Sequence, residues 1–310
     1  MALGLFLSAI AAGQTGAPAP AAAPPQVKQA APQAPALGAL VFSREELLYH
    51  LAPGSKQPRK LVPGRYPALS PDGARLAFGK PRQDRGGAAG LMVLDLARGR
   101  TQMVVNPGPE GIFDISWSPD GRRLTFLNRG DRDQVETVNF DGSGRAVVAR
   151  GDFMVHQPVW APDGQSIYFH DLHTLFQVNL TGQVLNRIPI TDLTGKAESI
   201  SSMDRFAPNP VVPQLWAFTM GVPGTPKFER TFHEPCDALF LYDFRTKKRV
   251  RLTPPDMMAT YAIWSRDGNF IYFQGYREPH YKEPRPFRIY RIAKDGSGLT
   301  EITKGEHPSP

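Results

Sequence analysis

Four times this chain writes a strand, a tight turn and a return strand in nearly the same letters, and that repetition limits what it can fold into. The copies are Pro67–Phe78 (P-A-L-S-P-D-G-A-R-L-A-F), Ile115–Phe126 (I-S-W-S-P-D-G-R-R-L-T-F), Pro158–Phe169 (P-V-W-A-P-D-G-Q-S-I-Y-F) and Ala262–Phe273 (A-I-W-S-R-D-G-N-F-I-Y-F). Proline presets its φ for the turn, Asp and Gly tolerate the backbone that closes it, and the β-branched and aromatic flanks favour extended chain. The turn aspartates Asp72, Asp120, Asp163 and Asp267 recur at spacings of 48, 43 and 104 residues. The last spacing is close to two periods, so a degenerate copy is expected between them. Phe206-Ala-Pro-Asn-Pro210 followed by Leu215–Phe218 fills that place with a longer turn.

Behind each hairpin lie two further strand signals, such as Gly90–Leu96 and Thr101–Val105. Two of the outer hairpins share the turn Asp-Gly-Ser-Gly, at Asp141–Gly144 and Asp295–Gly298. Four strands per repeat of about 45 residues is the signature of a β-propeller blade, its strands lettered A to D from the axis outward. The sixth blade comes from the two ends. Gly38–Phe42, Glu46–His50 and Arg59–Val62 read as strands B, C and D without an A, while Gly305–Pro308 reads as the lead-in to a strand A. The fold expected is therefore all-β, a six-bladed propeller over 38–310 closed by N- and C-terminal strands sharing one blade, which leaves no open sheet edge.

Ahead of it, Ala2–Ala12 is apolar for the length of a signal-peptide core and too short to span a bilayer, although no Lys or Arg precedes it. Residues 1–13 are expected to be a signal peptide and 14–37, made of Ala, Pro and Gln, an extended spacer. The location expected is periplasmic or secreted, with no transmembrane span. A lone Cys236 makes no intrachain disulfide, so redox chemistry and structural zinc are not expected. The formal charge of +7 is spread around the repeats, as with Arg245, Lys247, Lys248, Arg249 and Arg251 on an outer turn. Dispersed bases favour solubility over specific nucleic-acid readout.

The Ser-Pro-Asp-Gly hairpins with Trp two residues before the Pro, the Leu/Ile-x-Phe that follows the turn and the outer Asp-Gly-Ser-Gly turns resemble the repeats of the TolB propeller family over about 39–310. The resemblance implies the six-bladed fold. It also points to an exported interaction module, since TolB works in the periplasm with the lipoprotein Pal. The α/β domain that precedes the TolB propeller is expected to be absent here.

In a propeller the D-to-A and B-to-C connections open on one face around the central channel. The D-to-A connections place Arg65, Tyr66, Phe113, Asp114, His156, Gln157, Met203, Asp204, Tyr261 and His307 at that mouth. They form either a binding ring or the ordinary polar lining of a water-filled channel. The long B-to-C connections Gly79–Gly90, Thr219–Ala238 and Gln274–Arg288 rise on the same rim, the last carrying Tyr276, His280 and Tyr281. A solvated loop is the competing reading for that rim.

The turn aspartates read as hairpin closures, and Trp117, Trp160 and Trp264 as wedges between blades. His170 and His173 fall on opposite sides of an extended chain, so no metal site is expected. No G-x-S-x-G, phosphate loop or H-E-x-x-H is present. No catalytic residue and no cofactor are assigned. The function expected is a monomeric, non-catalytic envelope module that binds a protein or small ligand. The alternative is a saccharide lyase or hydrolase with Arg65, Tyr66, Asp114 and His156 at the channel mouth.

Overall fold

The computed structural model describes residues 38–82, 87–107, 109–151, 154–195, 199–222, 236–277, 280, 283–284 and 286–310. The expected signal peptide and spacer lie outside them. The described residues form six four-stranded antiparallel sheets. Blade 1 holds β4–β7 (Arg65–Leu69, Arg75–Gly79, Leu91–Asp95, Arg100–Val105) and blade 2 holds β8–β11 (Gly111–Trp117, Arg123–Arg129, Gln134–Asn139, Ala146–Arg150). Blade 3 holds β12–β15 (His156–Trp160, Ser166–His170, Thr174–Asn179, Val184–Pro189), followed by the short helix α1 (Ile190–Thr194). Blade 4 holds β16–β19 (Phe206–Pro208, Leu215–Gly221, Asp237–Asp243, Lys248–Arg251) and blade 5 holds β20–β23 (Met257–Trp264, Phe270–Arg277, Arg288–Ala293, Thr300–Lys304).

Blade 6 joins the two ends of the chain as expected. Strand β24 (Glu306–Ser309) pairs with β1 (Leu40–Arg44), which is followed by β2 (Leu47–Leu51) and β3 (Arg59–Pro63). Val41 lies opposite Ser309. The Ser309 hydroxyl also accepts the Leu69 N–H at 2.8 Å, tying this closing strand to blade 1. Innermost strands contact one another in the order β24, β4, β8, β12, β16, β20 and back to β24, which closes the ring.

The core lies between blades. One apolar cluster joins Ala77 and Leu91 of blade 1 to Ile112, Trp117 and Phe126 of blade 2, and comparable clusters straddle the other junctions. Trp117, Trp160 and Trp264 are the wedges that the repeat required, each nearly fully buried. The Trp117 indole N–H donates to the Ala68 carbonyl of the preceding blade at 2.7 Å, and that of Trp264 does the same to Ala207 at 2.9 Å.

The turn aspartates close their hairpins. Asp72 accepts from the Ser70 hydroxyl and the Ala74 N–H, Asp120 from Ser118 and Arg122, Asp163 from the Gln165 N–H and Asp267 from Ser265 and Asn269. These A-to-B turns also touch around the face of the ring. A Cβ built on Gly121 would lie 3.5 Å from Pro71, and one on Gly164 would lie 3.6 Å from Pro119, so each turn proline packs on the glycine of the next blade.

Blade 6 interrupts that circuit, because β24 and β1 are joined by no hairpin. There the fourth copy of the turn carries Arg266 in place of proline. Its guanidinium crosses the interrupted blade and donates to the carbonyls of Pro71 and of Ser70, the latter at 2.5 Å.

Candidate functional site at the channel mouth

Each innermost strand begins on the face where the D-to-A connections arrive, and in five blades it begins with the same distortion. Register slips between Arg65 and Ala68, Phe113 and Ser116, His156 and Val159, and Thr260 and Ile263, with a matching slip on β24. The bulged residue stands in the left-handed region: Tyr66 (φ 51), Asp114 (52), Gln157 (52), Tyr261 (56) and His307 (53). None of these is glycine, so each costs on the order of 1 kcal/mol. The bulge turns each side chain toward the neighbouring blades at the axis.

Blade 4 supplies the sixth residue. Because Ala207 takes the place of Ala68 under its tryptophan, the position of Tyr66 is filled by Arg205, which sequence reading passed over in favour of Met203 and Asp204. Its spacing of 48 from Gln157, equal to that between Tyr66 and Asp114, was the signal.

The six side chains form a connected collar. The Tyr66 ring lies 5.8 Å from Phe113 and 5.5 Å from His307, and His307 meets Tyr261 edge-on at 5.0 Å. The Arg205 guanidinium lies over Tyr261 at 5.0 Å. Across the collar, the Gln157 N–H donates to the Asp114 carboxylate at 3.4 Å and its side-chain amide donates to Ser202 O. Burial raises the Asp114 pKa, with Arg205 pulling it back. Burial, assisted by Asp114, pushes Tyr66 up to about 12. Burial, with the Arg205 charge, brings His307 down to about 4, so its imidazole is neutral at pH 7.

Outside the collar opens a recess of about 520 Å³ lined by Ser43, Glu45, Glu46, Arg65, Tyr66, Glu306 and His307. Arg65 pairs with Glu46. The Ser43 hydroxyl donates to Glu306 O at 3.1 Å, so it accepts from His307 Nδ1–H at 3.0 Å. That leaves Nε2 as the basic nitrogen of His307. Ser43, Glu45 and Glu46 were not singled out from the sequence, although they lie at the β1–β2 turn, the B-to-C connection of the closing blade.

The remaining expected site residues divide. His156 is buried behind the collar, where Arg129 donates to its Nδ1 at 3.2 Å; burial and that charge bring it to about 4. Its ring lies 5.5 Å from His170, whose Nε2–H donates to Asp204 O at 2.9 Å. His170 is buried and His173 exposed; the two flank the bend that joins β13 to β14 rather than alternating along one extended strand. Asp204 does not line the mouth: it is fully buried and accepts from Thr219 Oγ1 at 2.6 Å and from the Ser201 N–H at 2.7 Å. Desolvation raises its pKa to about 7.

Tyr276, read as a rim residue, is instead fully buried against Cys236, with its ring edge-on to Phe287 at 5.5 Å. Strand β21 runs on to Arg277, so the position is core rather than loop. His280 is partly exposed. Tyr281 lies outside the described residues, as does most of the Thr219–Ala238 connection.

The fold is a six-bladed β-propeller, and it is similar to the propeller of TolB. No known family's sequence model matches the chain. It is similar to TolB from Acinetobacter baumannii, with 16% identity over 87% of this chain and 65% of that one, at a TM-score of 0.64. It is also similar to oligogalacturonate lyase from Vibrio parahaemolyticus, with 16% identity over 83% of this chain and 71% of that one, at a TM-score of 0.53. A stretch of 105 residues, 33% of the chain, is 29% identical to the uncharacterized peptidase YuxL of Bacillus subtilis and spans 16% of that protein. The chain thus covers less than two thirds of both that peptidase and the TolB structure. At these identities the structural likenesses show the fold.

Proposed function

We propose that the chain is an exported, non-catalytic TolB-like propeller that serves as an interaction module of the cell envelope, binding a protein partner at the channel mouth. One observation carries the reading: five strained non-glycine residues converge on one collar beneath a concave polar recess. Strain of this kind persists only where surrounding structure enforces it, and it clusters at ligand clamps. Three of the four residues proposed from sequence as a catalytic group are engaged elsewhere. Asp114 accepts from the Gln157 backbone, His156 from Arg129, and Arg65 pairs with Glu46. General acid–base work requires a contact that these pairings do not make. Among the described residues no helix is long and apolar enough to cross a membrane.

The test is capture from envelope extract with the wild-type chain and with Arg65→Glu, which reverses charge in the recess. A partner recovered by the first and lost by the second supports the reading. Equal recovery by both refutes it.

A second reading has its own observation. The free His307 Nε2 faces the same recess as Tyr66 and Arg65, a base beside a phenol and a guanidinium, on a fold shared with oligogalacturonate lyase. Release of unsaturated products from galacturonate oligomers by the wild-type chain, abolished in His307→Gln, would establish that reading instead.

A further inference from the structure

Apolar packing between blades 2 and 3, where Leu127, Val135 and Val148 meet Phe169 and Val178, runs outward to the edge of the ring and ends uncovered. A groove of about 480 Å³ lies there, lined from Asp171, where β13 turns to β14, to Gly182, where β14 turns to β15. It follows the six residues of β14, roughly 20 Å at the rise of an extended strand. Its floor is apolar: Val155, Val178 and the stacked rings of Phe169 and Phe176, 5.3 Å apart. Phe176 is only partly buried, and Val184, on the outermost strand, is 38% exposed. The polar side chains that line the groove are Arg150, Asp171 and Arg187.

These charges are not balanced among themselves. The Asp171 carboxylate closes its own turn, accepting the His173 N–H at 2.9 Å and the Thr174 N–H at 2.7 Å. Arg150 and Arg187 are exposed, and among the described residues neither makes a hydrogen bond or an ion pair. Arg187 lies over the Phe176 ring at 5.9 Å, so its guanidinium sits on the apolar floor. The other blades show that this is a departure from the repeat. Arg187 stands opposite Phe176 as Arg251 stands opposite Phe240 in blade 4 and Glu301 opposite Tyr290 in blade 5. Arg251 donates to the carbonyls of Thr253 and Pro254, and Glu301 accepts from the Tyr290 hydroxyl. Of the three, Arg187 keeps its donors for a group from outside.

We infer that this groove is the docking site for an extended acidic segment of a protein partner, with an apolar or aromatic side chain seated on the Phe169–Phe176 pair and carboxylates paired with Arg187 and Arg150. The length of the groove suits a chain in extended form rather than a compact molecule. Two arginines against one carboxylate already engaged select an acidic partner over a basic one. Their planar forks match carboxylates, and the aromatic floor supplies the apolar anchor. The groove is on the outer strands, away from the channel mouth, so this inference and the function proposed above stand or fall separately.

The test uses the full chain and three blocked, fluorescein-labelled heptapeptides, S-E-F-E-L-E-S, S-K-F-K-L-K-S and S-E-S-E-S-E-S, titrated by fluorescence anisotropy at about 0.15 M salt. The chain carries a formal charge of +7, so the third peptide reads the unspecific attraction of any acidic sequence. The first is expected to bind saturably, one per chain, and about ten-fold or more tighter than either of the others. Arg187→Glu and Arg150→Glu are each expected to weaken it about ten-fold, whereas Arg100→Glu, the same change of charge on the outer strand of blade 1, alters it by less than about two-fold. All three positions are exposed, and Arg150→Glu reads the same groove should Arg187→Glu lower the denaturation midpoint. Absence of saturable binding by the first peptide overturns the inference, as does equal binding of the lysine or the serine peptide. So does a loss in Arg100→Glu as large as that in Arg187→Glu. A wild-type dimer in sedimentation that Arg187→Glu disperses would assign the groove to a second copy of the chain and overturn it as well.

Discussion

Replacing Arg266 by proline restores the Ser-Pro-Asp-Gly turn of the other blades and, by the geometry above, should make the protein less stable rather than more. The local turn accepts proline, since Pro71 occupies the same place in blade 1, and fixing φ there contributes about 0.4–1 kcal/mol through the unfolded chain. Against this stands the loss of the bridge to Pro71 O and Ser70 O across the interrupted blade. Hydrogen bonds from a charged donor are worth about 1.5–3 kcal/mol when buried. This pair is partly exposed, so about 1 kcal/mol each is appropriate after allowance for solvent. The net expectation is a loss of roughly 1 kcal/mol for Arg266→Pro and about 2 kcal/mol for Arg266→Ala, the latter lacking the proline gain. Urea denaturation followed by tryptophan fluorescence reads both as falls in midpoint at unchanged slope. Arg266→Pro at or above the wild-type midpoint would refute the clamp and return the residue to an ordinary variation of the turn.

Acidification should weaken the fold between about pH 6.5 and 4. Folded-state pKa values are depressed to about 4, 3 and 4 for His156, His170 and His307, so the unfolded chain takes up protons there that the native state does not. Asp204, raised to about 7, and Asp114, also raised by burial, act in the opposite sense, losing stability as pH rises, but they are two groups against three. Denaturation midpoints that rise on acidification would contradict this assignment; His170→Gln is expected to reduce the slope. Glu45 and Glu46 form a two-residue hairpin with both φ positive (52 and 61), the place of Asn-Gly. The double change Glu45→Asn/Glu46→Gly should therefore raise stability by about 1 kcal/mol while weakening partner capture at the recess, and a destabilised double variant would sink the strain argument. Gly275→Ala places a methyl 2.1 Å from the Met258 carbonyl, so strand separation should cost roughly 1–3 kcal/mol, seen as a lower thermal midpoint; an unchanged midpoint would show that the strands yield freely.

The extent to which the site was legible follows from how each residue is used. Trp117, Trp160 and Asp163 were readable because every blade repeats the same local need, a wedge and a closed turn. Tyr66, Asp114, Gln157 and Tyr261 were placed near the mouth by the same register, counted back from the turn, and His307 by the likeness of Gly305–Pro308 to the lead-in of a strand A. Arg205 was missed because its blade lacks the Asp-Gly marker from which to count. Tyr276 was misread for a related reason. A mixed aromatic and basic stretch looks like a loop until the strand that carries it is seen to continue to Arg277, burying the ring against Cys236 and Phe287.

What the amino-acid order determined alone was periodic: the hairpin, its turn chemistry, the number of blades and the pairing of the two ends. The hairpin and its turn chemistry depend on contacts within one repeat, which short-range physics prints in every copy, and the pairing of the ends follows from the strands that each end lacks. What the tertiary structure decided depends on which blades become neighbours once the ring closes. Only then does Glu46 meet Arg65, His307 settle between Tyr66 and Tyr261, and Arg266 span the interrupted blade. Such contacts join residues up to 264 positions apart, as between Ser43 and His307, and no local pattern encodes them.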